Sequence, residues 1–377
     1  MKYLIYILGI IIALVSRLKT TRKFHTAMEI CLLVIIVYLT ADFSLINKDN
    51  IQYRYYYMQC KQGILYSGFE NGYLFISSIL AKMNFSYLSF RYIYLSIFSC
   101  LLFFVVRRFT TNLGTFYVFY FLYGMFRDAE QIRFFAASAI LYVGMYILAT
   151  KDGRKRALVF TGIVFLAAQF HQTAYFFIFM LILTLPKVMY KKILKLMLIF
   201  STALFAFVLV DRKLFVSLIY LIDKGRADFY TEVNAHYGFL FPFALFAINM
   251  MIIVYVQNKI AGKGYKTTGY RYHISHMKIF KRYTTLDVDR MLDLSYLSVV
   301  LSLYTVPLLA INTHFYRLGR CVMIFSLILL SEYLNHLCKN DRLIIKIMIS
   351  IMLIGYFVFD FFMTGSVSQQ VLPLWMD

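Results

Sequence analysis

Charge is scarce in this sequence. Asp, Glu, Lys and Arg supply 15% of its 377 residues, against about 25% in soluble domains, which excludes an ordinary water-soluble chain. Acidic residues are scarcer still, 18 against 39 lysines and arginines. The cysteines number five, at Cys31, Cys60, Cys100, Cys321 and Cys338. They form no CxxC and no Cys/His spacing suited to zinc, so neither a disulfide framework nor a metal is implied. All but Cys60 fall inside apolar segments, as small hydrophobes do. Period-2 alternation is missing, which excludes a membrane β-barrel. Gly262 and Gly264 are too few for a phosphate loop, which excludes an ATP-driven pump. No internal repeat or low-complexity segment stands out. No small-residue cleavage site follows the apolar stretch 3–15, whose stronger charge (Arg17, Lys19, Arg22, Lys23) comes after it. That stretch is expected to stay as a first helix that starts outside.

What the chain has in abundance is apolar residues, 61% of the total, arranged in segments of about 20, each long enough to cross a hydrocarbon core of about 30 Å. The expectation is an all-α, polytopic integral membrane protein forming a single transmembrane domain over 1–377, with about 12 transmembrane helices. Crossings are placed near 3–16, 27–46, 86–106, 113–126, 133–150, 157–170, 172–185, 194–210, 238–256, 291–311, 317–337 and 343–363. Several are short, so they must extend into flanking turns or the membrane must thin.

The formal charge of +21 does not indicate nucleic acid, because the basic residues lie at segment ends rather than on one face. They gather at 17–23, 107–108, 151–156, 187–195, 257–290 and 339–346. If those stretches are cytoplasmic, every short loop obeys the positive-inside rule, and loops at 47–68, 127–132, 171, 211–237 and 312–316 face outward. This parity requires that 69–85 does not cross; Glu70, Asn71, Lys82 and Asn84 suit an interfacial or re-entrant helix there. The basic loop 257–290 reads as a topology anchor near anionic lipid or as a docking surface for a partner.

Four polar stretches lie at the outer boundary, where charge is costly and tends to be functional. Asp49-Asn50-Ile51-Gln52-Tyr53, followed by Phe69-Glu70-Asn71-Gly72-Tyr73, pairs carboxylates with aromatic rings and suits sugar binding. The plainer alternative is a solvated loop with Glu70 opening a helix. Arg127-Asp128-Ala129-Glu130-Gln131-Ile132-Arg133 carries four charges into an apolar helix; at its plainest, Glu130 and Arg133 pair at i and i+3. Gln169-Phe170-His171-Gln172-Thr173 falls between two basic clusters, so the chain turns back near His171. His314-Phe315-Tyr316-Arg317-Leu318-Gly319-Arg320 puts two arginines on one helix face. That suits an anionic ligand, with interfacial snorkelling as the alternative.

Taken in order, these stretches resemble the Wzy-type polysaccharide repeat-unit polymerases, especially their EpsG-like branch. The stretches that carry the resemblance are the Asp/Asn-x-x-Tyr of the first outer loop, Glu70-Asn71-Gly72-Tyr73, Ile132-Arg133-Phe134-Phe135-Ala136-Ala137, the basic turn 151–156, Gln169 to Ala174, and Phe315 to Arg320. The first loop departs from the family pattern, where an Arg and a Gly-rich turn precede the Asp; Ala41-Asp42-Phe43 and Asn47-Lys48-Asp49 stand in here.

The resemblance implies a glycosyltransferase at the outer face of the bacterial cytoplasmic membrane. It would join polyprenyl-pyrophosphate-linked repeat units into capsular polysaccharide, exopolysaccharide or O-antigen. A lipid-sugar-dependent ligase and a lipid-linked oligosaccharide flippase are the alternatives. The pyrophosphate leaving group calls for planar, permanently charged groups, assigned to Arg133, Arg317, Arg320 and Arg127. His171 leads as the base, with Glu70 and Asp49 behind it; Tyr53, Tyr73 and Tyr316 are the sugar contacts. No cofactor and no metal are expected. Membrane lipids, a flippase and a chain-length regulator of the same pathway are the implied partners, and nucleic acid is not.

Overall fold

The computed structural model describes residues 2–18, 22–42, 48–64, 68–150, 154–211, 214, 217, 240–260, 266–267, 286–309 and 316–362. Most of the expected outer loop 211–237 and inner loop 257–290, the stretch 312–315 and the tail after 364 lie outside these residues.

The described chain is helical, apart from a two-residue antiparallel pair, β1 (Lys266–Thr267) with β2 (Leu286–Asp287). The helices are α1 (Lys2–Val15), α2 (Arg22–Ala41), α3 (Lys48–Lys61), α4 (Asn71–Lys82), α5 (Tyr87–Phe109), α6 (Leu113–Tyr123), α7 (Met125–Glu130), α8 (Ile132–Thr150) and α9 (Arg154–Ala168). After a 3-10 segment (Gln172–Thr184) follow α10 (Lys187–Val210), α11 (Leu240–Ile260), α12 (Val288–Leu303), α13 (Thr305–Leu309), α14 (Tyr316–His336) and α15 (Lys339–Phe362). Among the described residues, six helical stretches are long and apolar enough to cross a membrane: Lys23–Ala41, Tyr87–Phe109, Ile132–Ala149, Leu240–Ile260, Arg290–Leu309 and Lys339–Phe359. Lys2–Val15, Leu113–Tyr123 and Gln172–Thr184 are apolar but shorter.

The outer surface identifies the solvent. On α1, Leu4, Ile7, Leu8, Ile11 and Leu14 are exposed, and on α15 so are Leu343, Ile344, Ile347, Ile351, Ile354 and Val358. Recurrence every three or four residues lines up one apolar face on each helix. In water such faces would be aggregation surfaces; in lipid they need no cover. The chain is a multi-pass membrane protein.

The inside is organised around α14, buried without a break from Leu318 to Leu334. It contacts α5, α6, α8, α11, α12 and α13. Gly319 lets α11 approach, because a Cβ there would sit 2.0 Å from the ring of Phe246. The segment 69–85, expected at the interface, contains the 12-residue α4, which is not among the span-length helices. The 13-residue segment Gln172–Thr184 is 3-10 throughout. At about 2.0 Å per residue it reaches about 26 Å, where an α-helix would reach about 20 Å. Its short length in sequence is therefore offset by its winding.

Candidate active site

Two distant motifs dock on each other first. Glu70 is the extended N-cap of α4 (φ −70°, ψ 145°), and its side chain does not cap the helix. The orphan N–H groups of that helix start need other acceptors, and Gly72 N–H finds the Gln169 carbonyl at 2.7 Å. Only glycine permits this approach, since a Cβ at Gly72 would lie 2.8 Å from that carbonyl oxygen. Glu70 Oε1 accepts from the Gln172 backbone N–H at 3.2 Å. The α4 start and the 169–172 hairpin tip are thereby one unit.

Glu70 Oε2 takes the other role, accepting from Nη1 of Arg133 in an ion pair. Arg133 is boxed by rings: its guanidinium carbon lies 4.1 Å from the Phe69 centroid, 5.5 Å from Tyr53 and 6.0 Å from Tyr73. Nε donates to the Tyr53 hydroxyl at 3.4 Å. Ring faces attract a cation most when water is excluded, and Tyr53 and Tyr73 are both buried. These two tyrosines, expected to contact sugar, spend their faces on Arg133.

Glu130 and Arg133 do not pair, although they lie three apart. The backbone leaves the helix at Gln131 (φ −104°, ψ 61°), separating α7 from α8, so the i, i+3 geometry of a continuous helix is lost. Glu130 instead accepts from Arg127 at 2.9 Å, and Arg133 turns to Glu70.

Arg317 and Arg320 open α14 and fare differently. Arg320 is 1% exposed, stands 4.9 Å from the Phe134 ring, and approaches Asp128 with Nη2 at 3.4 Å. Asp128, which also accepts from Tyr120 at 2.9 Å, is the anion that a pair of neighbouring cations requires. Arg317 makes no hydrogen bond or ion pair among the described residues, and its Nε is buried without an acceptor. Tyr316 points another way: its hydroxyl meets that of Tyr123 at 2.9 Å and its ring stacks beside Phe246 and Tyr356.

His171 is the N-cap of the 3-10 segment, and its ring meets Phe134 edge-on at 5.3 Å. Nδ1 lies 2.7 Å from Thr173 Oγ1 and 3.3 Å from Thr173 N. Burial, then Arg317, Arg133 and Arg320, hold its imidazole well below the usual range, so the ring is neutral at neutral pH. Three arginines from two helices therefore act electrostatically on one imidazole. Asp49, on α3, feels Arg317 most strongly among its charged neighbours, while burial raises its carboxyl above the usual value. Arg127 also acts on the Asp49 carboxyl, in the sense that lowers it.

The sequence pattern of the EpsG family matches residues 27–376. The chain belongs to the EpsG family. The matched region takes in every residue of the candidate site just described. No curated protein and no solved structure matches the chain.

One residue of this EpsG chain escaped the reading of its sequence. Arg91, on α5, is 1% exposed and donates to the carbonyls of Thr40 (2.7 Å), Ala41 (2.8 Å) and Ala129 (3.0 Å) and to Asn50 Oδ1 (2.8 Å). It ties the end of α2, the start of α3 and α7 to α5, fixing the frame around Asp49 and Asp128. An arginine inside an apolar run was the available signal.

Proposed function

We propose that this chain polymerises polyprenyl-pyrophosphate-linked oligosaccharide repeat units at the outer face of the bacterial cytoplasmic membrane. About 12 crossings would place the arginine cluster there. The product would be a capsular or exopolysaccharide or an O-antigen. The observation that carries this reading is Arg317, a half-buried guanidinium with an unused Nε beside two arginines that already have partners. A pyrophosphate leaving group, whose oxygens gather negative charge as it departs, suits this planar, unpaired cation.

The chemistry needs one hydroxyl oxygen of the acceptor unit to attack the anomeric carbon of the donor glycan. The bond from that carbon to the pyrophosphate oxygen breaks, and its electron pair leaves with polyprenyl pyrophosphate. Arg317 contacts the developing charge, while Arg133 and Arg320, held by Glu70 and Asp128, supply positive potential that needs no rearrangement. The hydroxyl proton passes to Nε2 of neutral His171. Nε2 accepts it in the tautomer whose Nδ1 carries the ring proton and donates to Thr173 Oγ1 at 2.7 Å, giving up the 3.3 Å bond in which Nδ1 accepts from the Thr173 backbone N–H. Glu70, with both oxygens occupied, serves as a positioning residue; Asp49 is the reserve base. The flippase and chain-length regulator of the pathway are the partners this role calls for.

The test is incubation of the purified chain, in liposomes, with a lipid-linked repeat unit. A ladder of repeats supports polymerisation; a single transfer indicates a ligase, and transbilayer movement without new glycosidic bonds a flippase. Orientation is checked separately: a cysteine placed at Ser67 labels with an impermeant reagent from outside, and one at Gly153 does not.

A further inference from the structure

The arginine site occupies one end of α14, and a cavity of about 860 Å³ lies at the other. Its walls include Arg17 after α1, His25 and Glu29 on α2, Thr111 before α6, Glu332 and His336 on α14, and Arg342 and Lys346 on α15. From Arg317 to Glu332 the helix rises about 22 Å, so the two sites are separate.

The charges around this cavity do not balance. Glu29 already pairs with Arg107 at 3.0 Å. Glu332 accepts from Thr111 N–H at 2.8 Å and from the Thr110 and Thr111 hydroxyls, and faces His336 at 3.3 Å. Arg17, Arg342 and Lys346 are left, and among the described residues none has a carboxylate partner. Arg342 gives one nitrogen to the Leu337 carbonyl at 3.0 Å, and its Nε is buried without an acceptor. It stands one turn from Lys346 on α15, a like-charged spacing that destabilises a helix. Both Arg17 and Arg342 act electrostatically on Lys346. Three cations gathered on one cavity call for a counter-charge that the described residues do not supply.

We propose that this cavity binds a phosphate group, supplied by an anionic lipid headgroup or by a soluble phosphate ligand. The three cations come from stretches whose basic charge assigns them to the cytoplasmic side, where a negative lipid surface attracts such clusters. The mixed walls suit both sources: Arg342 and Lys346 face the charge, and Leu14, Leu18 and Leu113 offer apolar contact.

The experiment is a thermal-stability titration of the purified full chain in neutral detergent, with phosphatidylglycerol, phosphatidylcholine and inorganic phosphate as separate probes. Phosphatidylglycerol raises Tm and phosphatidylcholine does not. In Arg342→Gln/Lys346→Gln the same rise needs about tenfold more phosphatidylglycerol, whereas Lys82→Gln, at the exposed end of α4, responds as the unmodified chain does. A response to inorganic phosphate as well assigns the site to a soluble phosphate ligand; a response to the lipid alone assigns it to a headgroup. If the double variant does not fold, Arg17→Gln, an exposed position, carries the comparison. No shift with either phosphate probe, or an unchanged response in the charge-removed variants, overturns the proposal.

Discussion

Glu70 and Arg133 meet as an ion pair between the N-terminus of α4 and the first turn of α8. The same carboxylate accepts from the backbone of Gln172, so one acidic side chain fixes both the cation and the hairpin that carries His171. Both partners are mostly buried, with side-chain exposures of 16% and 12%. Removing one partner leaves the other charge desolvated. Glu70→Gln is expected to cost about 3 kcal/mol of stability, read as a lower Tm in detergent. It should also weaken activity more than Tm alone accounts for, because Arg133 loses its orientation. Unchanged Tm and unchanged activity would show that the aromatic box alone holds Arg133.

Arg91 belongs to the frame and not to the chemistry. Four oxygens from three elements accept from its guanidinium. A buried acceptor left without a donor costs about 1–3 kcal/mol. Arg91→Lys keeps the charge but cannot span all four, so Tm and membrane yield should fall steeply. The turnover of the folded fraction should stay close to that of the unmodified chain. A normal Tm with lost turnover would instead move Arg91 into the active site.

The pH dependence follows from the surroundings of His171. Burial and the charges of Arg317, Arg133 and Arg320 lower its imidazole below the ordinary value of 6.5. A lowered value keeps the ring neutral, and able to accept a proton, further into acid. Polymerisation should therefore stay level as the outside pH falls through about 6.5 and decline only below it. A decline centred at or above that value would contradict the role. Within the same role, Thr173→Ser should preserve the rate, and Thr173→Val should lower it by removing the Oγ1 that stands 2.7 Å from Nδ1 and selects its protonated tautomer. His171→Gln should fold and insert but not polymerise.

Much of this was legible along the chain, and the exceptions share a cause. The apolar segments and the motifs around Glu70, Arg133, His171 and Arg317 are local patterns, and the EpsG match spans them all. The partners were not local. Arg133 pairs with Glu70 rather than with nearby Glu130 because the helix breaks at Gln131, which the string Glu-Gln-Ile-Arg does not announce. Asp128 becomes the anion for Arg320 only when α7 folds against the start of α14. Tyr53 and Tyr73 offer ring faces in the sequence, but those faces are used once Arg133 is placed between them. The 3-10 winding of Gln172–Thr184 leaves no mark on its composition, which suits an α-helix equally well.

Arg317 gives the most direct test of the whole proposal. Its Nε is buried and unused, and lysine at that position would keep the charge but lose the two-pronged fork that matches a pyrophosphate. The measurement is the rate of repeat-unit addition by purified Arg317→Lys in liposomes, beside the unmodified chain and with Tm measured on both. The prediction is a loss of about 100-fold or more in rate, the size seen when a donor to developing charge is removed, with Tm unchanged. Near-normal rates in both Arg317→Lys and Arg317→Gln would contradict it and reduce Arg317 to an anchor at the membrane boundary.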